Sequence, residues 1–171
     1  MFGRDPLADP EPLIRRVYAY VAYRIGPGPD AEDVTSEVFE RAVRYRSRYD
    51  PRRGEIGDWL IGIARRQIAD RGAVVGSATL RPSDPAPHPD PEEAALRRVT
   101  LLAALERLGE RDRELVAMYY VGMSAPQMAG QLEMTRNAVD VALHRALARL
   151  RQELERGGVD TPAARGPAGR T

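Results

Sequence analysis

A run of alternating prolines divides this chain of 171 residues into two parts. The prolines fall in the stretch from residue 73 to residue 94, at Pro82, Pro85, Pro87, Pro89 and Pro91. Proline fixes φ and lacks an amide hydrogen, so this spacing predicts an extended, polyproline-like tether. At about 3.1 Å per residue the tether could reach ~70 Å. It is acidic overall, and it either contacts a partner or serves only as a spacer.

Apolar residues recur at helical spacing on both sides of the tether. Upstream, one helix should begin at Asp9-Pro10, a second should be capped by Asp30, and a third should bury Trp59 in the core. A second helical module should begin at Ala95. We therefore expect an all-α fold of two small helical domains joined by an extended proline-rich linker. The expected bounds are 9–72 for the first domain, 73–94 for the linker, 95–156 for the second domain and 157–171 for a disordered tail.

Composition excludes several classes of function. There is no Cys, which excludes disulfides, thiolate metal sites and thiol catalysis. Neither of the two His residues has a ligand set around it, and no glycine-rich phosphate loop, nucleophilic serine turn or HExxH motif is present. We expect no enzymatic activity, metal or cofactor. No signal peptide or apolar run of ~20 residues is visible, so no membrane insertion and a cytoplasmic location are expected.

The net charge of +1 conceals an uneven distribution. All 26 basic residues are Arg, through either arginine-rich codon usage or selection for contacts with phosphate and guanine. Six of them lie between Arg41 and Arg53, directly after an acidic strip formed by Glu32, Asp33, Glu37 and Glu40. This change from acidic to basic residues has two interpretations. It either separates a protein-binding strip from a nucleic-acid-binding one, or it simply follows the helix dipole. Tyr49, among these arginines, could stack on an unpaired base.

The segment from Ser124 to Leu150 has the pattern of a helix-turn-helix. Ser124 and Gln127 have the spacing of a capping box, and Thr135 can cap the second helix. One face of that helix is apolar, and the other carries groups suited to the major groove of DNA: Asn137, Val141, His144, Arg145 and Ala148, with Asp140 at the edge. An ordinary helical hairpin would instead leave Arg145 and Arg149 as a solvated face.

Three segments together resemble bacterial sigma factors of the extracytoplasmic-function (ECF) group of the sigma-70 family. They are the sequence DAEDVTSEVF at residues 30–39, the segment Trp59-Leu60-x-x-Ile63-Ala64-Arg65, and the helix-turn-helix ending in His144-Arg145-Ala146. The resemblance covers roughly residues 11–155. It implies an alternative sigma factor, a transcription initiation factor that directs core RNA polymerase to specific promoters. The N-terminal domain (sigma region 2) would recognise and melt the −10 element, and the C-terminal domain (region 4) would recognise the −35 element.

The resemblance also implies partners and site residues. The partners would be the clamp coiled coil and flap of core RNA polymerase, promoter DNA, and an anti-sigma protein. Polymerase binding would fall to Asp33, Ser36 and Glu37. Binding of the −10 element would fall to Tyr49, Asp50, Arg52, Arg53, Arg65 and Arg66. Reading of the −35 element would fall to Arg136, Asn137, Asp140, Val141, His144 and Arg145. This chain departs from the usual family residues at Ser36 (usually Gln), Arg66 (usually Asn) and Gln127 (usually Glu).

Two other functions fit parts of the pattern. A stand-alone helix-turn-helix transcriptional regulator would bind operator DNA without polymerase, usually as a dimer. The absence of a visible dimerisation helix disfavours it. A pure interaction module would bind a basic protein through the acidic strip and no DNA. The arginine-rich loop and the recognition-helix pattern disfavour that alternative.

Overall fold

A computed structural model describes residues 7–72 and 91–157 of the chain. Within these residues there are seven α-helices and no strand, which confirms the all-α prediction. The helices are α1 (Pro10–Ile25), α2 (Pro29–Arg44), α3 (Ile56–Asp70), α4 (Pro91–Glu106), α5 (Glu110–Tyr120), α6 (Ala125–Leu132) and α7 (Arg136–Arg156). The predicted linker up to residue 90 and the predicted tail after Gly157 lie outside the described residues. No described helix is long and apolar enough to cross a membrane.

Helices α1, α2 and α3 pack against one another as the first module. Gly26 ends α1 with a φ of +88°, a conformation that glycine adopts without strain. The expected cap of α2 was wrong, because Gly28 is the N-cap and Pro29 opens the helix. Asp30 lies in the first turn instead, where its charge still favours the positive end of the helix dipole. Asp9 is the N-cap of α1, but its side chain makes no capping hydrogen bond.

Helices α4 to α7 form the second module, in which α7 packs on α4, α5 and α6. The first of these helices begins at Pro91, four residues before the expected start at Ala95. Proline is well tolerated at this position, because the first amide of a helix has no intrahelical acceptor. The last residues assigned to the tether are therefore helical.

The predicted helix-turn-helix is present as α6 and α7. The Ser124 amide donates to Gln127 Oε1 at 2.6 Å, as in a capping box. Glu133 turns the chain between the helices with a left-handed φ of +54°. Thr135 then caps α7, its Oγ1 accepting from the amide of Ala138 at 3.2 Å. Local sequence signals therefore account for both helix starts.

The two modules share a single hydrophobic core, and α1 is the helix that joins them. This helix packs on α2 and α3 and also on α5. Its residues Val17, Tyr20 and Val21 are completely buried. Trp59, expected in the core, is only half-buried at its edge, where its ring lies 5.6 Å from that of Tyr49.

Candidate nucleic-acid and polymerase interface

The outer side of α7 presents all six residues expected to read the −35 element. They are exposed along the helix: Arg136, Asn137, Asp140, Val141, His144 and Arg145. The opposite side is buried through Val139, Ala146 and Leu150. Asp140 Oδ2 lies 3.9 Å from Arg136 Nε, one helical turn away, so the two exposed side chains form an i, i+4 ion pair. The DNA-binding role of these residues stays a prediction.

The loop between α2 and α3 contains two single-turn 3₁₀ helices, Arg46–Arg48 and Pro51–Arg53. Asp50 caps the second of them: its Oδ1 accepts from the amide of Arg52 at 3.0 Å. The Arg52 guanidinium also donates to both Asp50 oxygens, at 3.0 and 3.1 Å. These bonds hold the pKa of Asp50 below its usual value and raise the pKa of Arg52. The Arg52 side chain nevertheless stays 90% exposed, so it remains available to another anion.

A cavity of about 260 Å³ opens between this loop and α3. Tyr49, Asp50, Arg53, Trp59 and Arg66 contribute to its lining, so aromatic rings and arginines face the same space. The hydroxyl of Tyr49 donates to the carbonyl of Gly54 at 3.1 Å, which ties the ring to the end of the loop. The structure thus brings four of the six expected −10 residues together around one concave site. One wall comes from Gln131 of α6, in the other module.

Arg65 is placed differently from the other expected −10 residues. Its Nε donates to Glu114 Oε1 at 2.7 Å, and its Nη1 donates to the carbonyl of Gln131 at 2.6 Å. Both acceptors belong to the second module, on α5 and α6. Since these acceptors lie 49 and 66 residues away in sequence, no local sequence pattern predicts the two hydrogen bonds.

The acidic strip on α2 carries the residues expected to bind polymerase. Asp33, Ser36 and Glu37 have the i, i+3, i+4 spacing that places them on one helix face. Asp33 is exposed, and Ser36 Oγ donates to the carbonyl of Glu32 at 3.0 Å. Glu37 forms an ion pair with Arg71, just after α3. Asp33 is therefore available to a partner, whereas Glu37 is already part of an ion pair.

Asp58 is the main site residue that the sequence interpretation missed. It is only 6% exposed, and each of its carboxylate oxygens has a partner. Oδ1 accepts from Arg16 Nη2 at 2.6 Å, and Oδ2 accepts from Gln127 Nε2 at 2.5 Å. Its main-chain carbonyl accepts from Gln131 Nε2 at 2.9 Å. Carboxylates are common in the first turn of a helix, where they interact favourably with the helix dipole. The position of Asp58 in the sequence therefore does not reveal its long-range hydrogen bonds.

Two glycines on α3 allow these side chains to approach. A Cβ added at Gly57 would meet the Arg16 guanidinium, and one added at Gly62 would lie 2.9 Å from Gln131 Oε1. Glycine is unfavourable inside a helix, so these two glycines are the sequence signal that could have indicated a close contact here.

Among the described residues, no three His, Asp or Glu side chains converge on a position that could hold a metal ion. Arginines and amides dominate the described site, and such groups can bind anions and the edges of bases.

Comparison with known proteins places both modules. The family profile for sigma-70 region 2 matches residues 11–72, and the profile for sigma-70 region 4 matches residues 98–150. The ECF RNA polymerase sigma factor SigD of Mycobacterium tuberculosis is 31% identical, over 91% of this chain and 78% of SigD. BldN of Streptomyces coelicolor, another ECF sigma factor, is 31% identical over 77% of this chain. That match spans about half of BldN, 53% of its length.

Solved structures of similar fold include the sigma factor RpoE of Bartonella quintana in complex with the anti-sigma factor NepR. It aligns over 84% of this chain and 92% of RpoE, with a TM-score of 0.65 and 21% identity. CnrH, solved in complex with the cytosolic domain of CnrY, aligns over 88% of this chain and 85% of CnrH, with a TM-score of 0.60 and 24% identity. Two family profiles in the expected order, together with relatives above 30% identity, establish the assignment. This chain belongs to the extracytoplasmic-function group of the sigma-70 family of RNA polymerase sigma factors.

Proposed function

We propose that this chain is an alternative sigma factor that binds core RNA polymerase and directs it to specific promoters. One observation supports this best. The chain carries two different surfaces with groups suited to nucleic acid, an exposed face on α7 and an arginine-lined aromatic cavity beside α3. A conventional operator-binding protein needs only the first. An initiation factor needs both, because it must read duplex DNA and also hold a melted strand.

The recognition face of α7 would read the −35 element in the major groove. Asn137 can pair with adenine, Arg145 can bind guanine or phosphate, and Val141 can contact a thymine methyl group. Each good bidentate pair discriminates against a wrong base by ~1–3 kcal/mol. Because Asp140 already pairs with Arg136, its carboxylate would orient that arginine rather than face the phosphates unpaired.

The cavity beside α3 would receive an unpaired base of the −10 element. Stacking on an aromatic ring contributes ~1–3 kcal/mol per base, which offsets part of the few kcal/mol that extrusion of a base costs. Arg53 and Arg66 line the same space, where they can neutralise adjacent phosphates. Such contacts make binding salt-dependent, since each neutralised phosphate releases counterions.

The other surfaces would bind proteins. Asp33, Ser36 and Glu37 would contact the polymerase clamp coiled coil, and the second module would contact the flap. An anti-sigma protein is a further proposed partner, supported by the solved complex of RpoE with the anti-sigma factor NepR. We propose that the protein acts in the cytoplasm, without a cofactor and without enzymatic activity of its own.

Run-off transcription tests this proposal. Genomic DNA fragments are transcribed by purified core RNA polymerase with and without the protein, and new, discrete start sites are expected only in its presence. Asp33→Arg should abolish them, because reversing an exposed charge on the strip would repel a basic clamp surface. Glu155→Arg is the matched control, since Glu155 is exposed on α7, outside the proposed surfaces, and should keep the starts. A footprint on DNA without polymerase, and no new starts, would instead favour the stand-alone regulator.

A further inference from the structure

A groove of about 560 Å³ lies between α3 and α6, with one wall from each module. We propose that this groove is a binding site for a free nucleotide that carries two or more phosphates. The inference goes beyond the proposed function, because the nucleotide binds the protein alone, without promoter DNA or polymerase. The volume of the groove falls within the ~300–1,000 Å³ that is typical of small-molecule sites.

The charge of the groove indicates an anionic ligand. Its lining includes three guanidinium groups, from Arg53, Arg65 and Arg66, and two carboxylates, from Asp58 and Glu133. Both oxygens of Asp58 already accept hydrogen bonds, so its charge is compensated within the protein. The lining is therefore positive overall. Guanidinium groups that face one space repel one another unless an anion lies between them, and several linked phosphates neutralise them better than one.

The arginines of the groove have donors to offer. The side chain of Arg66 is exposed and forms no hydrogen bond or ion pair with any other described residue. Arg65 donates through Nε to Glu114 and through Nη1 to the carbonyl of Gln131, and its Nη2 takes part in neither bond. The side chain of Arg53 is exposed as well. A phosphate can therefore bind these arginines without breaking a contact within the protein.

Aromatic rings lie directly beside the arginines. The groove shares Arg53, Arg66 and Gln131 with the cavity of about 260 Å³ that contains Tyr49 and Trp59. A nucleotide whose phosphates lie between the arginines can thus place its base against these rings. Stacking on an aromatic ring accepts every base, because every base has a π face. The arrangement fits a nucleotide better than a phosphate ion alone.

The wall from α6 is what distinguishes this ligand from a DNA strand bound by the first module. Gln127 Nε2 donates to Asp58 Oδ2 at 2.5 Å, and Gln131 Nε2 donates to the carbonyl of Asp58 at 2.9 Å, so the wall is fixed in place. Gly130 lines the groove between these two residues, and a Cβ added there would meet nothing within 4 Å. A free nucleotide lies between both walls, so its binding should depend on α6.

Trp59 makes the binding measurable, because it is the single tryptophan of the chain and lines the cavity. ATP is titrated into the full-length chain without DNA or polymerase, and the stacked base should quench the tryptophan fluorescence in a saturable way. Isothermal titration calorimetry measures the same affinity independently. Adenosine and pyrophosphate each carry only part of the ligand. Each should bind at least about 10-fold more weakly than ATP, and pyrophosphate should leave the fluorescence unchanged.

Two substitutions should weaken binding from opposite walls. Arg66→Gln removes an exposed guanidinium on α3 and should weaken the binding of ATP about 10-fold. Gly130→Phe fills the open space of the groove from α6 and should abolish binding. The matched controls are Arg151→Gln, at an exposed position on α7 outside the groove, and Gly130→Ala, whose methyl group meets nothing within 4 Å. Both controls should bind ATP like the wild-type chain.

Several results would overturn the nucleotide site. One is the absence of saturable ATP binding to the wild-type chain. Another is adenosine or pyrophosphate binding as tightly as ATP, because the site would then take only half of a nucleotide. Unchanged affinity in Arg66→Gln, or in a Gly130→Phe variant that keeps its helical circular dichroism, would place the ligand outside the groove. If Gly130→Phe does not fold, Arg66→Gln decides alone. Failure of run-off transcription would remove the proposed function but not ATP binding, so the two can be told apart.

Discussion

The Glu114 carboxylate accepts hydrogen bonds from two guanidinium groups on different helices. Arg24 of α1 donates at 3.0 Å and Arg65 of α3 donates at 2.7 Å. The side chain of Glu114 is 13% exposed and that of Arg24 only 5% exposed. At the scale of single residues this contact joins the two modules, and removing one member of such a buried pair leaves the other charges uncompensated.

We therefore expect Glu114→Gln to lower the free energy of unfolding by about 1–3 kcal/mol. Urea denaturation at neutral pH measures the change. Glu110→Gln is the matched control, because Glu110 also pairs with Arg24 but at 3.4 Å and with 66% exposure. It should cost less than ~1 kcal/mol, as exposed pairs do. Equal effects of the two substitutions would contradict the special role of Glu114.

Tyr20 provides a test in alkaline solution. It is completely buried, its hydroxyl accepts from Arg24 Nη1 at 3.0 Å, and burial raises its pKa to about 12 despite the nearby guanidinium. Between pH 10 and pH 12 the unfolded chain loses this proton while the folded chain keeps it, so stability present below pH 10 is lost as the pH rises. The loss should reach about 2–3 kcal/mol, at ~1.4 kcal/mol per pKa unit.

Urea denaturation of wild type and Tyr20→Phe across this pH range isolates the effect. Phenylalanine has no proton to lose, so its stability should fall less steeply above pH 10. If the two proteins show the same slope, Tyr20 does not titrate in this way.

Residue roles could be predicted from the sequence only where the partners are local. The buried and exposed faces of α7 follow from a 3.6-residue period, so the sequence predicts Val141 on the exposed face, and the structure confirms this. The second bond of Gln127 could not be predicted in the same way, because its acceptor Asp58 lies 69 residues away. For Arg65 the expected ligand was DNA, and the structure shows competing protein acceptors.

At the scale of helices, one arginine caps the C-terminal ends of two of them, α4 and α1. Arg113 is 8% exposed, and its guanidinium donates to the carbonyls of Leu105, Glu106 and Leu108 at the end of α4. It also donates to the carbonyl of Arg24 near the end of α1, at 3.3 Å. The last carbonyls of a helix have no intrahelical donor, so a cation here satisfies several at once. Burial lowers the pKa of Arg113, but the guanidinium keeps its charge at every ordinary pH.

Arg113→Met should lower the free energy of unfolding by about 2–4 kcal/mol, since it leaves buried carbonyls unsatisfied at 1–3 kcal/mol each before relaxation. Arg113→Lys should recover only part of this, because one ammonium cannot span four acceptors. Thermal and urea denaturation measure both variants. Arg111→Met, at an exposed neighbouring position, should change stability by less than ~0.5 kcal/mol. If Arg111→Met lost as much stability as Arg113→Met, the effect would come from the loss of a positive charge rather than from the loss of capping.

Helix positions were easier to predict than helix starts. Apolar periodicity predicts a third helix around Trp59, which the structure shows as α3, and the signals at Ser124 and Thr135 predict the starts of α6 and α7. The starts of α2 and α4 were displaced because Pro29 and Pro91 each open a helix. A proline can end one segment or begin the next, and the sequence alone does not decide which.

At the scale of the whole molecule, the sequence predicts two modules but not how they meet. The composition of the tether limits their separation, yet it carries no information about the side on which they would pack. That information lies in the side chains of Arg16, Arg24 and Asp58. Each of them forms a hydrogen bond with a residue of the other module or with a distant residue of the first module. Because α1 is buried by both modules, they should also unfold together.

Cooperative unfolding can be followed with the single tryptophan of the chain. Trp59 lies on α3, so its fluorescence reports the first module, whereas far-UV circular dichroism reports all helices. In the wild-type chain both signals should change at the same urea concentration, as in a two-state transition. The same is expected of the control Gly130→Ala on α6, because its added methyl group meets nothing within 4 Å. Gln127→Glu replaces the hydrogen bond to Asp58 with repulsion between two carboxylates, so the α3–α6 contact should weaken and the two modules should lose part of their coupling. The two curves should then separate, each module unfolding at its own stability. Separate curves in the wild-type chain would mean that the modules are already independent, and that the burial of α1 by α5 contributes little to holding them together.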